Sequence, residues 1–135
     1  MKKPTWLSKV AILAIHGRLL AEHGGASGLR DESLLNYAFV TPENHFEYSR
    51  ADVFMLAATN VHSLTGNHPF VDGNKRTAFA AAGVFLELNG HRLTASEPDA
   101  VLAVLALSKG EMNAEDFRNW LQISSEELGG AEGED

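Results

Sequence analysis

The chain has 135 residues, and 44% of them are hydrophobic, enough for one buried core and too apolar for a disordered chain. It has no cysteine, which excludes disulfides, thiolate metal sites and cysteine nucleophiles and suits a reducing cytoplasm. A net charge of −7 argues against a direct, non-specific hold on nucleic acid, which needs Lys and Arg to neutralise phosphates.

The opening, Met1 to Leu7, has the basic start of a signal peptide but no small-residue cleavage site. Lys9, His16, Arg18 and Glu22 then interrupt the apolar stretch, so no membrane span is expected. Thr5 is the expected cap of a first helix from about Trp6 to Glu22, stopped by Gly24-Gly25. A short helix follows Asp31 and carries Leu34, Leu35, Ala38 and Phe39. Thr41-Pro42 is expected to end it, because the residue before proline avoids helical dihedrals. Pro42 to Ser49 then reads as an extended loop or short hairpin, whose Phe46 and Tyr48 make a candidate flap for docking a target peptide.

A third helix is expected from about Ala51 to Leu64, with Gly66 past its end, followed by a loop from Asn67 to Asp72. The fourth starts near Gly73 and ends before Gly90. Its section from Thr77 to Leu88 is almost wholly apolar or alanine, which places it at the centre of the molecule. Gly83 within it reads as room for close helix packing. Ser96-Glu97-Pro98 opens a helix through Ser108, and Asn113 caps a last one carrying Phe117, Trp120, Leu121 and Ile123. The pattern predicts an all-α bundle of about six helices around a buried central helix, with a small β-hairpin or extended flap. Residues 1–125 are expected to form a single domain. The last ten, with five acids and three glycines, read as an acidic, disordered tail, 126–135.

The chemistry concentrates in His68-Pro69-Phe70-Val71-Asp72-Gly73-Asn74-Lys75-Arg76-Thr77. This is a loop feeding the N-terminus of a buried helix, where free N–H groups and the positive end of the dipole attract anions. Gly73 admits a ligand close to the backbone. Lys75 and Arg76 lie in a first turn that disfavours cations, which makes sense if a polyphosphate compensates them. Asp72 is a hard oxygen ligand suited to Mg²⁺ shared with phosphates, and His68 can accept a proton at neutral pH. A base, a metal ligand and a phosphate cradle are what phosphoryl or nucleotidyl transfer to a hydroxyl requires. Asn74 either touches ligand or braces the loop. His16, His23, His45, His62 and His91 read as surface or capping residues.

These residues resemble the Fic/Doc signature, in which His-Pro-Phe is followed after two residues by Gly-Asn and then basic residues. Gly28-Leu29-Arg30-Asp31, Leu34-Leu35, Pro42 and Phe46 resemble the family's segment ahead of its flap, and the likeness runs from about Trp6 to Leu121. Lys75 stands where adenylylating Fic enzymes are expected to have glycine, and Phe79 where they have a second arginine. Both departures resemble the Doc, or death-on-curing, toxins of toxin–antitoxin pairs. That branch implies a Mg²⁺- and ATP-dependent kinase that moves the γ-phosphate to a hydroxyl of a translation factor of the elongation factor Tu class. Carried over, His68 is the general base, and Asp72 the carboxylate on Mg²⁺ or on the target hydroxyl. Gly73 and Asn74 shape the cradle, while Lys75 and Arg76 bind phosphates. The family's inhibitory string, Ser or Thr, three residues, Glu and then Gly or Asn, is missing from the sequence. Inhibition is therefore expected from a separate antitoxin, a disordered segment folding into a groove of the bundle. The alternatives are protein adenylylation, a non-catalytic module of a repressor complex, and metal-dependent hydrolysis with His62, His68 and Asp72.

Overall fold

In the computed structural model, which describes residues 3–129, short polar side chains divide the chain into its elements. Ser8 accepts from the Ala11 N–H and starts α1, Lys9–His23. Asp31 accepts from Ser33 and Leu34 and starts α2, Glu32–Ser49. Asp52 caps α3, Val53–Asn67, through Met55. The helix α4, Asn74–Leu88, has Gly73 at its cap position. Ser96 caps α5, Glu97–Ser108, and Asn113 caps α6, Ala114–Ile123. Between α4 and α5 runs β1, His91–Leu93, which pairs antiparallel with β2, Ser125–Glu127, in the register His91 to Glu127 and Leu93 to Ser125.

The fold is all-α, as the sequence predicts, with a two-stranded sheet beside it. The helix α4 packs against α1, α3, α5 and β1. Its Ala78, Ala81, Ala82 and Leu86 are at most 1% exposed, and so are Leu56, Ala57, Ala58, Val61 and Leu64 of α3. Alanines on α4 let the two helices approach closely, and each fully buried leucine contributes about 1.5–3 kcal/mol. Phe46, Phe70 and Phe117 fill the spaces between helices. No helix among the described residues is long and apolar enough to cross a membrane.

Five local expectations are corrected. First, Thr5 caps nothing. Its backbone N–H and carbonyl both bond the Asn89 side chain, at 2.7 and 2.9 Å, so Trp6 and Leu7 pack on the core before α1 begins.

Second, Pro42 does not end a helix. It lies inside α2 and is buried, so residues 42–49 are helical and form no flap. Proline cannot donate to the carbonyl four residues back, here that of Ala38. Asn60 on α3 replaces the missing donor, its Nδ2 lying 2.9 Å from the Ala38 oxygen. Phe46 is consequently a core residue, 2% exposed, edge-on to Trp6 at 6.3 Å, while Tyr48 stands 89% exposed on the last turn of α2.

Third, α3 runs through Gly66, and its left-handed cap residue is His68. Fourth, a Cβ on Gly83 would meet Leu93 at an ordinary 3.7 Å, so close packing does not demand glycine there. Fifth, the sheet takes in Glu126 and Glu127, which the sequence reading assigns to the tail. Residues 130–135 lie outside the described part.

Candidate functional site at the start of α4

The loop between α3 and α4 is built on two turned-in residues, Pro69 and Phe70, the latter 1% exposed. His68 opens it in the left-handed region, at φ 52° and ψ 60°, with its N–H on the Leu64 carbonyl. A non-glycine residue there stores of order 1–3 kcal/mol and needs its surroundings to hold it. Arg30 supplies that hold, its Nε donating to the His68 carbonyl at 2.6 Å and its Nη2 to the Asn67 carbonyl at 2.5 Å. The backbone before α2 lies along the loop. Arg30 and Asp31 both donate to the Pro69 carbonyl, and Val71 donates to Gly28.

Asn74 closes the loop from below. Its Oδ1 accepts from the Phe70 N–H and its Nδ2 donates to the Phe70 carbonyl, both at 2.9 Å, and the residue is buried. Through these two bonds Asn74 braces the loop, and it also lines the groove over the start of α4. Asp72 is exposed, with Oδ1 accepting from the Gly73 N–H at 2.9 Å and Oδ2 from the Ala26 N–H at 3.3 Å. A Cβ on Gly25 would sit 2.9 Å from Oδ2, so glycine makes room for this carboxylate.

Gly73 enters α4 at φ 78° with no side-chain cap, unlike the start of each other helix in the described residues. Lys75 and Arg76 are exposed in the first turn and make no ion pair among the described residues. An open groove of about 770 Å³ runs over this end of α4 toward α5. His68, Asp72, Gly73, Lys75 and Arg76 line it on one side, and Phe79, Val101 and Val104 give it an apolar wall. Its volume is within the range of small-molecule sites.

The six residues from His68 to Arg76 singled out in the sequence thus converge on one groove, whereas Phe46 and Tyr48 do not line it. His16 is the residue the sequence reading misses. It is 5% exposed on α1, stacks on Phe70 and reaches the Asp72 carbonyl. The available signal is its place four residues after buried Ile12, since a polar side chain on a buried stripe needs a partner.

The family model for Fic/DOC matches residues 6–86, more than half of the chain and all of the loop just described. The chain belongs to the Fic/Doc family. Among its curated relatives is the toxin Doc of Mycolicibacterium smegmatis, 43% identical over 76 residues, which are 53% of this chain and 57% of that protein. The chain thus spans little more than half the length of that relative. The protein kinase doc of Escherichia phage P1 is 28% identical over 117 residues, 86% of this chain and 92% of that protein. In this Fic/Doc chain no three of His, Asp and Glu in the described residues gather as a metal site of their own. Metal-dependent hydrolysis with His62, His68 and Asp72 therefore has no ligand set among them.

Proposed function

We propose that this chain is a Doc-like toxin, a protein kinase that transfers the γ-phosphate of ATP to a hydroxyl of a translation factor of the elongation factor Tu class and so arrests translation. The observation that carries this reading is the start of α4. An uncapped helix end whose two cations have no ion pair among the described residues is unfavourable on its own and favourable once a polyphosphate lies against it. His68 on the same groove turns an anion site into a transfer site. The relatives' names, one a toxin and one a protein kinase, point the same way.

In this reading the free N–H groups of α4 and the Lys75 and Arg76 side chains hold the phosphate oxygens. His68 accepts the proton of the target hydroxyl as the new O–P bond forms. The bond from the γ-phosphorus to the bridging oxygen breaks, and ADP leaves with that electron pair. Asp72 fits a magnesium ion, since Mg²⁺ is commonly held by one or two carboxylates together with phosphates and water. When bound, that ion supplies neutralisation of the phosphate charge. Phe79 brings no cation to the groove, which favours γ-phosphate over adenylyl transfer. The protein acts in the cytoplasm. Its partner is a separate antitoxin, whose disordered segment folds over exposed Val101 and Leu102 of α5.

The test is to incubate the chain with Mg-ATP and elongation factor Tu and read the factor's intact mass. A gain of one phosphate is expected. A gain of one AMP would make the chain an adenylyltransferase, and an unmodified factor would remove it as the target.

A further inference from the structure

Among the described residues His16 is the one buried histidine. Its ring lies flat on Phe70, centroids 3.7 Å apart and planes 11° from parallel. Its Nε2 is 2.8 Å from the carbonyl oxygen of Asp72. A carbonyl oxygen can only accept, so Nε2 carries a proton. The Cδ2–Nε2 edge also faces Gly73, where an added Cβ would stand 3.6 Å from both atoms. One side chain on α1 therefore touches Phe70, Asp72 and Gly73, while Arg30 holds the other end of the same loop.

We propose that His16 is a positioning residue of the transfer site, setting the plane of the Asp72–Gly73 peptide from beneath. This rests on the phosphoryl-transfer reading above. The carbonyl of that peptide is tied to His16, and its N–H to the Asp72 carboxylate. Rotating the peptide would therefore re-aim the carboxylate and, together with it, the first N–H groups of α4. His16 reaches no reacting atom, because its donor is spent on backbone and its face on Phe70. A residue that only filled the core there could be replaced by an apolar ring of the same shape. A positioning residue could not.

Two substitutions separate these roles. His16→Phe keeps a ring on Phe70 and removes the donor, whereas His16→Gln keeps a donor of similar reach and removes the ring. The expected result is a kcat for phosphate transfer about 10–100-fold lower in His16→Phe, the scale of a small misplacement in a preorganised site. His16→Gln should restore most of kcat. Wild-type kcat in His16→Phe, or an equal loss in both variants, would overturn the proposal.

Nitrogen-detected NMR of the wild-type ring, at a pH where it is neutral, gives a readout independent of variants and of activity. Protonated Nε2 with bare Nδ1 is expected, and the opposite tautomer would overturn the proposal. A wild-type chain that transfers no phosphate would sink the kinase reading and leave the tautomer to decide the role of His16.

Discussion

At the scale of single residues, the loop from His68 to Gly73 is held by groups from elsewhere in the chain. His68 occupies left-handed backbone at φ 52°, and the Arg30 fork ties its carbonyl and that of Asn67. A lysine has the charge but only a point donor, so it cannot span two carbonyls in one plane. Arg30→Lys is expected to lower kcat by about tenfold and Arg30→Met by up to about 10²-fold. Steady-state rates of factor phosphorylation measure both, and wild-type rates would show that His68 needs no such hold. The residues of the loop were legible because they are contiguous and chemically unusual together. Arg30, His16 and Gly25 were not, because each meets the loop only after the chain has folded back on itself.

At the scale of elements, caps and apolar periodicity disclosed five helix starts to within a few residues, and the apolar run of α4 disclosed its central place, although Val84 and Leu88 of that run stand exposed. The error at Pro42 has a definite source. Whether proline breaks a helix depends on the carbonyl it leaves without a donor, and the compensating Asn60 lies 22 residues beyond Ala38, whose carbonyl that is. Ala38 is fully buried, so Asn60→Ala leaves its carbonyl unsatisfied and should cost about 1–3 kcal/mol. In a Pro42→Ala background the restored N–H reaches that carbonyl, and the same substitution should cost about 1 kcal/mol less. Urea titration of the four proteins closes this cycle, and strict additivity would refute the compensation.

The start of α3 gives a pH prediction. Burial pushes the Asp52 carboxyl up, but the Arg118 hydrogen bond, the Met55 and Phe54 N–H groups and the Arg118 charge outweigh it, leaving the group below its ordinary 3.8. A depressed carboxylate contributes stability that is fully present above its unfolded pKa and is lost as pH falls through the folded one. Asp52→Asn keeps a good cap and removes the charge. Because the pair is partly solvated, it should cost about 0.2–1 kcal/mol at pH 7. The gap to wild type should close as pH drops below 3.8. Denaturant melts at both pH values test it.

At the scale of the whole molecule, an acidic chain places two cations, without an ion pair among the described residues, where a central helix begins, on a groove shared with a histidine and a carboxylate. The bundle makes this possible, since α1, α3 and the backbone before α2 brace the loop and leave its outer face open. Composition alone excluded thiol chemistry, and the family match covers the loop and the start of α4 but not the α5 wall of the groove. The position of the two-stranded sheet was not legible, because three-residue strands such as Ser125–Glu127 carry no pattern that distinguishes them from an acidic tail.

Label transfer decides whether the site moves a γ-phosphate with His68 as base. The chain and its His68→Ala variant are each given elongation factor Tu and ATP labelled either on the γ- or on the α-phosphate. Only the γ-label is expected to reach the factor, at a rate about 10²–10⁴-fold lower without the imidazole. Transfer of the α-label, or equal rates in the two proteins, would contradict it.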